Sequence, residues 1–189
     1  MTWQPDRSSA WELFSRFTTE PHLVKHGLAV EAAMRYMAKK HGEDEELWAV
    51  VGLLHDFDYE KYPTAEEHPF KGAEILKEEG YPEHVIAAIM GHAPYTGVPR
   101  DTIMAQTLFA VDELSGFIIA CALVRPDKAL SELKLKSIRK RMKSSAFARG
   151  VNRDDIRQGA EELGVELDDL CLDVIEALKP VAGQLGINP

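Results

Sequence analysis

The chain has 189 residues, 45% hydrophobic and 28% charged, the proportions of one globular domain long enough to bury a sizeable core. Its net charge of −9 argues against general nucleic-acid binding. Two cysteines, Cys121 and Cys171, lie in apolar helical patterns outside any CxxC spacing, which excludes a disulfide scaffold and fits small core residues in a reducing compartment.

The opening stretch MTWQPDRSSAWELF has no basic region followed by an apolar core, so no signal peptide is expected and the cytoplasm is the expected location. Ser8 or Ser9 caps a first helix through Phe17, with Trp11, Phe14 and Phe17 at helical spacing. Pro21 fits the first turn of a second helix, which runs to about His41 and stops at Gly42. Asp44 starts a third helix, whose apolar stretch Ala49–Leu54 ends at His55 and Asp56. A charged irregular segment follows, then helices from about Pro69 to Glu79 and from Pro82 to Gly91–His92. The stretch APYTGVPR reads as a loop. Asp101 or Thr102 caps a long apolar helix to about Val124, and Pro126 ends it. Two or three more helices are expected over Ser131–Met142, Arg153–Leu163 and Leu167–Leu185. The longest apolar-rich run, Phe117–Val124, is too short to span a bilayer, so no membrane partner is expected. The sum is an all-α domain.

Charge is unevenly placed. Arg125–Arg153 holds ten Lys/Arg against two Asp/Glu, and the remainder twelve against twenty-nine, so about +8 faces about −17. The basic segment is either an anion-facing surface or a solvated helix face.

The polar residues inside apolar helices carry the chemistry. A lone histidine on an apolar face is more often a hydrogen-bonded core residue than a ligand. Asp112 is different: it sits mid-way along the most apolar helix, sharing a face with Phe109 and Gly116, with no Lys or Arg within one turn. A buried carboxylate needs a cation, supplied by a distant basic residue or by a metal ion.

The ordered set is His26, His55–Asp56, His68, His92 and Asp112, in the contexts HLVKHGLAVEAAM, VVGLLHDFD, HPFKGAEIL, MGHAPYTG and FAVDELSG. In this pattern the sequence resembles the HD-domain superfamily of metal-dependent hydrolases. Beyond Val124, RPDKALSELKLKSIRKRMKSSAFARGVNR and EELGVEL extend the likeness to a group of short single-domain HD proteins. The resemblance implies an HD-type helical bundle over 1–189, with a metal-binding core at about 22–124. The basic segment and additional C-terminal helices would occupy 125–189.

It also implies that His26, His55, Asp56 and Asp112 hold a first metal. His68 and His92 would hold a second, bridged by Asp56. All six donors are nitrogen or oxygen, which suits one or two divalent ions of manganese, iron, nickel, cobalt or magnesium better than a structural zinc. His22, one turn before His26, is a further candidate. Many relatives continue the doublet with glycine and lysine, whereas this chain has Asp58 in the glycine's place and Lys61 two positions late. The candidate catalytic residues are Asp56, Asp58, acting through a ligand or as a helix-end cap, and Lys61. Arg100, Lys128, Lys134 and Lys136 are candidates for binding a phosphate.

The expected activity is phosphohydrolysis of a small phosphate ester or nucleotide, with no nucleic-acid polymer as partner. Two alternatives stand beside it: a mixed-valent di-iron oxygenase of the same fold, and a non-catalytic metal- or ligand-binding domain. No GxxxxGK phosphate loop is present. The oligomeric state is open, a homodimer being one option.

Overall fold

The structure, a computed structural model, describes residues 3–189; Met1 and Thr2, the start of the stretch examined for a signal peptide, lie outside the described residues. Its helices are α1 (Arg7–Phe17), α2 (Pro21–His41), α3 (Glu45–Leu54), α4 (Phe70–Glu78) and α5 (Glu83–Gly91), followed by α6 (Ile103–Leu123), α7 (Leu135–Met142), α8 (Arg153–Leu163), α9 (Leu167–Leu178) and α10 (Ala182–Leu185). Among the described residues there is no strand, only an isolated bridge between Ala129 and Asn188. The fold is all-α, as the sequence implies.

The helix ends follow local chemistry. Asp44 caps α3 by accepting from the Glu46 and Leu47 amides, and Thr102 caps α6 through the Ala105 amide. Gly42 ends α2 in the left-handed conformation. Three expectations are corrected. The cap of α1 is Asp6, whose carboxylate accepts from Ser8 and Ser9; those serines donate their amides rather than cap. The helix expected over Ser131–Met142 starts only at Leu135: the Leu130 amide donates to the Asn188 carbonyl and the Leu133 amide to the Leu130 carbonyl, which holds the preceding residues in a turn. The helix expected to Leu185 breaks after Leu178 into a 3-10 turn, since Pro180 lacks an amide hydrogen to continue it.

The core is built around two helices. α2 packs along α3, and α6 packs against α2, α5, α8 and α9. α6 is buried through most of its length, including Leu108, Leu114, Phe117 and Ile118. Each such side chain contributes about 1.5–3 kcal/mol of hydrophobic stabilisation. Taken whole, α6 is long and apolar enough to cross a membrane by length and composition, more than its eight-residue apolar run suggests. In the fold it is the central core helix.

The α2–α3 approach matters for function. A Cβ on Gly52 would sit 2.7 Å from the Val30 carbonyl and 2.9 Å from Met34 Cγ. Only a glycine lets the backbones come this close, and this contact brings the end of α3 beside His26 of α2.

Candidate metal centre

Two of the histidines are placed by helix termination. His55 and His92 are the C-cap residues of α3 and α5. Each turns its ring back along its own helix. His55 Nδ1 donates to the Gly52 carbonyl at 2.8 Å and His92 Nδ1 to the Ile89 carbonyl at 2.5 Å. These bonds tie each ring to a carbonyl in the last turn of its own helix. They also fix the proton on Nδ1, leaving the Nε2 lone pair to face inward. His68, before α4, is held in the same tautomer by a charged partner: its Nδ1 donates to Asp58 Oδ1 at 2.8 Å.

The inward-facing atoms form two groups, His26–His55–Asp112 and Asp56–His68–His92, each with ligand atoms within 4.8 Å of one another. In the first, His26 Nε2 lies 3.1 Å from His55 Nε2 and 3.0 Å from Asp112 Oδ1. In the second, Asp56 Oδ1 lies 3.2 Å from His68 Nε2 and 3.1 Å from His92 Nε2. The other Asp56 oxygen, Oδ2, faces His55 Nε2 at 3.4 Å and His26 Nε2 at 3.7 Å. One carboxylate therefore offers an oxygen to each group.

Electrostatics follow from this crowding. Burial alone would lower the His55 pKa, but Asp56 and Asp112 outweigh it and hold the imidazole well above its ordinary value. His68 is likewise pushed up to about 9, its burial outweighed by Asp56 and Asp58. Burial would raise Asp56 and Asp112, but the neighbouring histidines, His55 first, hold both carboxylates below the usual range. The residues fit a divalent cation. Converging Nε2 lone pairs and two carboxylates need positive charge between them, and the all-nitrogen-and-oxygen donor set suits a hard or borderline ion. Without a metal, protons on the rings supply that charge.

The cluster opens into a cavity of about 300 Å³, also lined by Tyr59, Tyr95, Phe109, Glu113 and Asp155. Burial first, and then Asp112, push Glu113 up to about 7; the same two causes raise Asp155.

The six expected ligands, His26, His55, Asp56, His68, His92 and Asp112, are brought together. Asp58 is fully buried beneath His68 and does not line the cavity. The remaining candidates lie outside the cavity lining. Lys61 points away: its Nζ donates to the Arg16 carbonyl and lies 4.2 Å from the centre of the Phe17 ring. Glu60 beside it accepts from the Thr19 and Glu20 amides, so this segment pins the α1–α2 junction. Arg100 is locked by two bonds to Glu162 and one to the Gly91 carbonyl. It covers the Phe109 ring at 3.8 Å but lines no part of the metal cavity. Lys128, Lys134 and Lys136 are exposed, on the loop before α7 and on α7 itself, and are also absent from the lining. His22 is exposed, as are His41 and His84.

Glu113, Asp155, Tyr59 and Phe109 were not expected in the cavity. Glu113 follows a ligand on α6 and so had a local signal. Asp155 comes from α8, and only tertiary packing of α8 on α6 brings it near.

This arrangement accords with the comparisons. Residues 23–116 match the family model described as the HD domain, and the chain is a member of the HD-domain superfamily. At the family level this is a group of metal-dependent hydrolases. A curated relative, the tRNA (cytidine(56)-2'-O)-methyltransferase of Thermoplasma volcanium, is 26% identical over 113 residues, covering 55% of this chain and 33% of that protein. The chain thus spans about a third of that relative's length. No solved structure matches the chain significantly.

Proposed function

We propose that this protein is a metal-dependent phosphohydrolase of small phosphate esters or nucleotides. The observation that carries the reading is the split carboxylate of Asp56, one oxygen facing His26 and His55, the other His68 and His92. His26, His55, Asp56 and Asp112 would hold one ion, and Asp56, His68 and His92 a second. Divalent ions held there would supply Lewis acidity and lower the pKa of water toward neutrality. The chain's own groups do the rest. His55, His68 and His92 stay oriented through their Nδ1 bonds. Glu113 lines the cavity next to the ligand Asp112 and is the acid placed to pass a proton to a leaving oxygen.

The cavity also bears on the substrate. It carries four acidic side chains, Asp56, Asp112, Glu113 and Asp155, and no Lys or Arg among the described lining residues. Bound ions would then be the neutralising partners of the phosphate. The part beyond the phosphate would meet Tyr59, Tyr95 and the acidic rim, which favours an uncharged or cationic group. The methyltransferase activity named for the Thermoplasma relative belongs to a protein of which this chain matches a third, and it does not enter the reading.

The test is a panel of phosphomonoesters, phosphodiesters and nucleotides with purified protein and manganese, including amine-bearing and carboxylate-bearing members. Turnover that His55→Ala and Asp56→Ala both abolish supports the site, and turnover that survives both removes it. A second reading rests on the same geometry: nitrogen and oxygen donors around a shared carboxylate also suit two irons. Substrate-dependent oxygen consumption, with an electron-spin signal on partial oxidation, would favour that oxygenase. A full metal complement without turnover of either kind would favour a ligand-binding domain.

A further inference from the structure

Asp58 lies two residues after the ligand Asp56, and its surroundings are built for a carboxylate. The side chain is fully buried. Oδ1 accepts from His68 Nδ1 and Oδ2 accepts from the Gly72 amide, both at 2.8 Å. A Cβ on Gly72 would lie 2.8 Å from Asp58 Cγ and 2.9 Å from Oδ2, so the first turn of α4 closes over the carboxylate only because residue 72 is glycine. Tyr95 also ties down His68, its hydroxyl donating to the His68 carbonyl at 2.8 Å.

The two donor groups are unequal. His26, His55, Asp112 and Asp56 Oδ2 give the first position four donors. His68, His92 and Asp56 Oδ1 give the second position three. Behind them the support differs too. His55 and His92 rest on neutral carbonyls, whereas His68 rests on an anion. A carboxylate behind a histidine fixes its ring and raises the basicity of its other nitrogen.

We propose that Asp58 is a positioning residue that sets the affinity of the second metal position, formed by Asp56, His68 and His92, while the first position fills without it. This rests on the two-ion reading above.

The experiment is equilibrium dialysis of the metal-free protein against manganese, with metal content per chain as readout. Asp58→Asn removes the charge at nearly constant volume, and Gly72→Ala keeps the charge but displaces the carboxylate. The wild type is expected to bind two ions. Each variant is expected to keep its first-ion affinity and to lose second-ion affinity by about 10–100-fold, as removal of such supporting partners typically does. Unchanged second-ion binding in folded Asp58→Asn, or equal weakening of both ions, overturns the inference. If Asp58→Asn does not fold, Gly72→Ala decides by the same criterion. Fewer than two ions in the wild type would instead remove the two-ion reading, and the inference with it.

Discussion

His26 and His55 face one another with their Nε2 atoms 3.1 Å apart, although the His55 proton is committed to Gly52. Asp112 approaches the same His26 nitrogen at 3.0 Å. Such a cluster is most stable with a cation between its atoms. Metal removal by a chelator should therefore lower the melting temperature. An ion present at a hundred times its dissociation constant adds about 2.7 kcal/mol. For a chain of this size that is a shift of about 5–10 °C, read by calorimetry with and without added manganese.

Protons and metal compete for the same rings. His68 is raised from 6.5 to about 9, burial being outweighed by Asp56 and Asp58. A raised folded-state pKa stabilises the metal-free protein below the unfolded value, and that contribution disappears as pH rises through 9. Metal affinity should move the opposite way, strengthening from pH 6 to about 9. Titration calorimetry in buffers of different ionisation enthalpy should show net proton release on metal binding at pH 7, and release should vanish well above pH 9.

In the metal-free protein, burial first and then Asp112 push Glu113 up to about 7. Cations held at Asp112 would lower that value, so if Glu113 serves the leaving group, kcat should fall as pH rises through its pKa in the metal-loaded protein. Glu113→Gln should lower kcat by about 100-fold and erase that limb while metal content stays unchanged. The pH–rate profile of a turned-over phosphate ester, with metal analysis alongside, checks it.

Gly52 sets the distance between α2 and α3. Gly52→Ala would drive a methyl against the Val30 carbonyl at 2.7 Å. Overpacking of this kind costs about 1–3 kcal/mol. It also separates His26 from His55, so metal affinity should fall with stability; denaturant unfolding and dialysis measure the two.

The sequence exposed the centre because its residues break a local rule. His55, His92 and Asp112 interrupt buried apolar runs, and a polar group there needs a partner. Helices were legible for the same reason: apolar periodicity, the caps Asp44 and Thr102, and the stop at Gly42 are local signals. What failed was long-range. Lys61 looked like a displaced helper, but its reach goes to Arg16 and Phe17 of α1. Arg100 looked like an anion ligand, but Glu162, distant in sequence, claims it. Asp155 joins the cavity only through the packing of α8 on α6. Charge in a sequence shows which groups need a partner, while the partner itself is chosen by tertiary structure.

The most direct test of the central claim is metal analysis of the purified wild type beside His26→Ala, His55→Ala, His92→Ala and Asp112→Ala. The account predicts two divalent ions per wild-type chain. It predicts selective loss of one position in His92→Ala and of the other in His26→Ala and Asp112→Ala, with His55→Ala grouped with the latter pair. A wild-type protein that binds fewer than two divalent ions, or variants that retain full metal content, would contradict it.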